Sequence, residues 1–375
     1  MQCISIASKS HHIYFKCELT RQFRSHMKFQ YRNLLTSSRL ENQQLTADKL
    51  PHQPENIVHN NLTLPVKFKS TDPQKAEDIA VKLNLRTTYR HDTSPSDPVV
   101  LALHGMPGDG GDFHNLSLQL AKHGMKCIAP DFPGCGESRL PANEVYSIDY
   151  SPTGKADMLN RILDELKLER VDILISHSAG SFLGFRAAAE NDRIKSAVFL
   201  NFLGGKPHRY ARPHNLILFL SKFLKNPRIQ PFYTPLLPKF YELIGFARYD
   251  VQPLQVAVEN VATAEFEKIL DHMETIKNKK KPAMFCFATT DKLVELDIPY
   301  NILNHVGIKD SDIIKLCREN NIKEPPREIA EEINKSLTEW YYKAVQFDRG
   351  GHLLQKTQIP ELTKHITDLI KYVPR

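Results

Sequence analysis

Ser176-His177-Ser178-Ala179-Gly180 closes an apolar run, Val171–Ile175 (VDILI), and opens a segment of helical spacing that continues through Ala189. Small residues two before and two after a central serine let the backbone take a tight, strained turn, which lifts the serine hydroxyl above its surroundings. The amino end of the following helix adds partial positive charge beside it. A serine so placed suits nucleophilic attack on a carbonyl, given a general base to take its proton. Ser176 departs from the glycine usual at that place. It is small enough for the site but fits the close backbone approach less comfortably.

Two glycine turns could complete such a site. Leu101–Gly108 (LALHGMPG) ends a strand in His104-Gly105, after which the N–H of Met106 can face the serine. With the N–H of Ala179 it would form an oxyanion hole, each donor worth roughly 10²–10³ in rate because it binds charge that exists only in the transition state. Asp131–Ser138 (DFPGCGES) is the second turn. Neither is a nucleotide site. Gly134-Cys135-Gly136 has Arg139 where a third glycine belongs, and Gly105–Gly111 is not followed by Lys-Ser/Thr.

Strands alternating with helices must position these turns, the pattern of a largely parallel sheet covered by helices. Residues 64–70 and 78–90 read as an edge hairpin. Buried strands are expected at 98–103, 126–130, 171–175, 194–202, 282–288 and 342–347, with helices at 112–124, 152–168, 179–189 and 360–372. Residues 203–280 interrupt the rhythm with helical pieces at 214–225, 236–247, 252–262 and 264–277. They read as a cap over the carboxyl ends of the strands, where such sheets bind ligands. Leu216, Leu218, Phe219, Leu220, Phe223, Leu236, Leu237, Phe240 and Leu243 are expected to line an apolar tunnel there. Residues at about 296–340 read as extra helices.

HGMPG, DFPGCGES and SHSAG, in this order and between strands, resemble the α/β-hydrolase fold superfamily over about residues 75–202 and 281–373. The chain is also similar to a branch of that superfamily seen mainly in nematodes, a likeness that implies no particular reaction. The resemblance implies an eight-stranded, mostly parallel sheet and a catalytic acid and histidine late in the chain. Asp291, in Phe287–Val294 (FATTDKLV), stands in the acid's place and His352, in Phe347–Leu354 (FDRGGHLL), in the histidine's. Glu295 is a second candidate acid, and the other place where members carry the acid holds Asn201. The triad implied is Ser178, Asp291 and His352, in the chain order of this fold. The expected activity is cofactor-free, metal-free hydrolysis of a carboxylic ester or thioester with a lipophilic acyl group. Amide or carbon–carbon hydrolysis on the same triad and a non-catalytic ligand-binding protein are the alternatives. Epoxide hydrolases and dehalogenases share the HGxP turn, but need an aspartate where this chain has Ser178.

Composition narrows the partners. The 375 residues are 41% hydrophobic and 25% charged, as in ordinary globular proteins, and no apolar run reaches the length of a membrane span. Of the net charge of +7, residues 1–40 supply six, from seven basic residues against Glu18. One positive charge is left for the remainder, which offers no basic footprint for nucleic acid. The run Lys277–Lys281 (KNKKK) reads as a solvated loop. Residues 1–50 read as a separate basic segment ahead of a domain over 55–375; they fit a disordered tail, a mitochondrial presequence, or a chain whose start is Met27. Six scattered cysteines without ligand spacing suit reduced thiols in the cytosol or an organelle matrix, and the expected location is cytoplasmic, with a mitochondrial one open from the basic amino terminus.

Overall fold

Strands β3 (Val99–Leu103), β5 (Ile173–His177), β6 (Ala197–Leu200) and β7 (Ala283–Ala288) are short, apolar and buried almost throughout. Strands covered on both faces need no polar alternation, which is why each reads as a near-continuous apolar run, β5 turning polar only at Ser176 and His177. The computed structural model describes residues 56–68, 79–141, 144–226, 228–243, 249–316 and 342–374. Its strands form one nine-stranded sheet in the order β1-β2-β4-β3-β5-β6-β7-β9-β8. Here β1 is Ile57–Phe68, β2 Ile79–Arg90, β4 Lys126–Pro130, β8 Ile314–Leu316 and β9 Tyr342–Phe347. β1, β2 and β4 pair antiparallel, and all other pairs are parallel.

Alternate residues along the strands feed two cores. Leu101, Leu103, Leu174, Phe199 and Phe285 join a cluster with helices α2 (Pro152–Glu165) and α3 (Ser181–Glu190). Val100, Ile173, Ile175, Val198 and Met284 join a second cluster with α1 (His114–Lys122) on the opposite face. Those helices bury Met158, Leu159 and Ile162 on α2 and Leu116 and Leu120 on α1.

The sheet has nine strands where eight were expected. The extra one, β8, pairs parallel with β9 through Ile314, Lys315 and Leu316, in a region expected to be helical. Three residues are too few for a period of two to show. The helix preceding it is present, at Asp297–Val306. β1 begins at Ile57, ahead of the expected 64, because its register with β2 runs unbroken from Ile57–Arg90 to Phe68–Ile79. The expectations for 1–50, 244–247 and 317–340 lie outside the described residues.

Between β6 and β7 come helices α4 (His214–Leu224), α5 (Leu237–Leu243), α6 (Val251–Ala262) and α7 (Lys268–Asn278). Residues 231–251 form a unit of their own; within it Leu237 is buried, whereas Phe240 and Leu243 are exposed. Of the expected tunnel lining, Leu216, Leu218 and Phe219 are exposed on α4, and Leu236, Phe240 and Leu243 are exposed within residues 231–251.

Candidate active site

The end of β5 passes into a short turn, Ser178–Gly180, and then into α3. Ser178 has φ +49°, a left-handed conformation that a non-glycine residue holds only when its surroundings enforce it. Its hydroxyl lies 2.8 Å from Nε2 of His352, in the turn after β9, and Nδ1 of His352 lies 2.7 Å from Oδ2 of Asp291, after β7. Three residues from three strand ends, 61 and 174 positions apart from His352, thus form one hydrogen-bonded line. The other Asp291 oxygen accepts N–H bonds from Leu293 (2.8 Å) and Val294 (3.1 Å). Burial would raise this carboxyl, but His352 beside it and the two N–H groups outweigh that and hold it below the ordinary carboxylate range. Glu295, the second candidate acid, is turned away: it pairs with Arg212 and accepts the Arg209 N–H at 3.0 Å.

The Met106 turn is fixed from behind. His104 accepts the N–H of Phe132 at Nε2 (3.0 Å), so its Nδ1 carries the proton and donates to the Gly105 carbonyl at 2.8 Å. The N–H and C=O of a trans peptide point in opposite directions. Holding the Gly105 carbonyl on His104 therefore turns the Met106 N–H the other way. Gly105 also runs so close to the serine that a Cβ there would sit 2.9 Å from the Ser178 Cβ. Asp131, fully buried, binds this turn to its neighbours. It takes hydrogen bonds from Gly110 N (2.7 Å), Asn84 Nδ2 (2.9 Å) and Glu137 N (2.9 Å), and an ion pair from Arg86. Met106 Sδ meets the Cys135 thiol at 3.6 Å.

Two residues near the line were not singled out as contributors by sequence. Asn201 donates to the carbonyls of Gly351 and His352, both at 2.8 Å, and His177 Nε2 lies 2.8 Å from the same His352 carbonyl. Burial, with His352 adjacent, pushes His177 down to about 3, so its ring is neutral and must donate through Nε2. The position of His177 inside the serine motif was the available signal; Asn201 had only its place after β6. Among the described residues, no group of three or more His, Cys, Asp or Glu side chains could hold a metal ion. No helix there is long and apolar enough to cross a membrane.

A family model described as the alpha/beta hydrolase fold matches residues 98–244, which include the Met106 turn and Ser178. The chain has the α/β-hydrolase fold. An esterase from Thermogutta terrifontis superposes on this α/β-hydrolase fold with a TM-score of 0.52 at 18% identity, over 82% of this chain and 98% of that one. A bromoperoxidase from Bacillus anthracis gives 0.53 at 15% identity, over 83% and 100%. In sequence, a cis-3-alkyl-4-alkyloxetan-2-one decarboxylase from Shewanella oneidensis is 37% identical over 182 residues, 48% of this chain and 55% of that protein. A haloalkane dehalogenase from Mesorhizobium japonicum is 34% identical over 109 residues, 29% of this chain and 33% of that protein. The chain thus spans about half or less of the length of these relatives.

Proposed function

We propose that this protein is a serine hydrolase that cleaves a carboxylic ester or thioester through an acyl-enzyme on Ser178. The observation that carries the reading is the line Ser178–His352–Asp291, with contacts of 2.8 and 2.7 Å. His352 Nε2 takes the Ser178 proton as Oγ attacks the acyl carbonyl. Asp291, kept ionised, holds the Nδ1 proton and offsets the imidazolium charge. The N–H groups of Met106 and Ala179 receive the oxyanion as it develops. His352 then protonates the leaving group, and water releases the acyl chain by the same route in reverse. An aspartate-nucleophile reaction of the dehalogenase kind has no carboxylate to use at position 178.

An oxetan-2-one is a cyclic ester, and the alkyl arms in the decarboxylase's name make that ester lipophilic. This supports an alkyl ester or lactone as the substrate class here. Ser178→Ala is expected to abolish covalent labelling by a fluorophosphonate while leaving the fold intact, with only the background rate that binding and the oxyanion donors supply. Full labelling of that variant would sink the assignment. Acetate, butyrate and octanoate esters of one leaving group test the acyl class. Each buried methylene contributes up to ~0.8 kcal/mol, so kcat/KM should rise by more than about tenfold across the series. A flat series removes the lipophilic preference and leaves Ser178 in place.

A further inference from the structure

His177 stands one residue before Ser178, and its buried side chain lies between two of the loops that make the site. On one side its Nε2 donates to the His352 carbonyl at 2.8 Å, with the two rings 4.8 Å apart and tilted by 54°. On the other side it meets the Gly105 turn. A Cβ built on Gly105 would stand 2.9 Å from His177 Nδ1 and 3.3 Å from its Cε1. Glycine carries only a hydrogen in that direction, so the Nδ1 lone pair faces a Cα–H. Such a weak contact accounts for a buried ring nitrogen that has no hydrogen-bond partner among the described residues.

The two contacts fall on parts with different tasks. The carbonyl belongs to the residue that carries the base. Gly105 directly precedes Met106, whose N–H is the expected oxyanion donor. A flat, rigid ring between them sets the spacing from one to the other. Asn201 also donates to the His352 carbonyl at 2.8 Å, but its other side-chain bonds go to Gly351 and Ala288 and not to the Gly105 turn. The imidazole suits both contacts at once: one nitrogen donates to the carbonyl, and the other, bare of a proton, lies flush against the glycine.

We propose that His177 is a positioning residue that braces the His352 loop against the Gly105–Met106 turn, holding general base and oxyanion donor in one frame around Ser178. The inference rests on the reading of Ser178 as the nucleophile. It is tested on the full chain by the rate at which an alkyl fluorophosphonate labels Ser178, resolved into an affinity and a maximal rate. His177→Gln places an amide N–H near the position of Nε2, His177→Asn is one carbon too short to reach the carbonyl, and His177→Leu keeps bulk without a donor. The Asn and Leu variants should lose at least about tenfold in maximal rate at unchanged affinity, because a displacement of about 1 Å at the base suffices for that. His177→Gln should recover to within about threefold of the parent, at a thermal midpoint close to that of His177→Asn. Gln and Asn variants that are equally slow overturn the proposal, since the ring would then matter through packing alone; if one amide variant fails to fold, the other is compared with His177→Leu. Asn and Leu variants that label as fast as the parent overturn it too, and leave Ser178 in place. A parent that is not labelled removes the reading of Ser178, and the brace falls with it.

Discussion

Asn201 occupies the strand end where some α/β-hydrolases keep their acid, and its side chain shows why an amide stands here. It holds a left-handed backbone, φ +39°, a conformation asparagine tolerates better than most residues. Its Oδ1 accepts the Ala288 N–H at 2.9 Å while Nδ2 donates to the Gly351 and His352 carbonyls. One buried amide therefore ties the end of β6 to the end of β7 and to the loop that carries the base. A carboxylate would face two carbonyl oxygens with no proton to offer. Asn201→Ala is expected to cost about 1–3 kcal/mol of stability through the orphaned groups, and to slow labelling of Ser178 by at least about tenfold as His352 loosens. Asn201→Asp, though nearly isosteric, should be worse on both measures. Urea midpoints and labelling rates of the three proteins decide it, and an Asp variant as reactive as the parent would refute the clamp. In the sequence Asn201 signified only a missing acid, because its partners lie about 150 positions away and nothing local announces them.

At the scale of elements, the strand–turn–helix around Ser178 carries its own compensation. The departure visible in the sequence, Ser176 in place of glycine, is met on α3: a Cβ at Gly184 would collide with the Ser176 hydroxyl. The usual arrangement places the small residue on the strand; this chain places it on the helix, so the close approach survives. Gly184→Ala alone is expected to destabilise by about 1–3 kcal/mol through overpacking. In a Ser176→Gly background the same change should become neutral or gain up to ~1 kcal/mol from helix propensity. A double-mutant cycle read by urea denaturation would show the coupling, and additive effects would mean the two positions do not share the space. The apolar strand cores and the helices between them were legible because burial on both faces and helical spacing are local patterns. The three-residue β8 was not, being shorter than its own period. The direction of the α4 face was not either, since spacing cannot distinguish water, lipid and core as the other side.

For the whole molecule, charge and stability part company. Six of the seven net positive charges lie in residues 1–40, so the rest is nearly neutral and its response to pH depends on single buried groups. Lys155 is the clearest of these. In the first turn of α2 it is 1% exposed, and its Nζ has no hydrogen-bond partner among the described residues. Burial, opposed in part by the charge of Asp149, pushes it down to about 7. An unfolded chain would return it to ~10.4, so between those values the unfolded state binds a proton that the folded state has released. Stability contributed through this group therefore rises with pH across the interval, and below it the fold carries a penalty of up to ~5 kcal/mol. The buried thiols of Cys127 and Cys286, pushed up to about 12, act in the opposite direction at alkaline pH, so the parent's own profile mixes the two. The difference between parent and Lys155→Met cancels the thiols. The variant should be more stable than the parent near neutrality by a few kcal/mol at most, with the gap closing as pH approaches ~10. Urea midpoints at several pH values measure that gap. A gap that stays constant with pH would mean that Lys155 acts through packing of its stem and remains charged inside the fold.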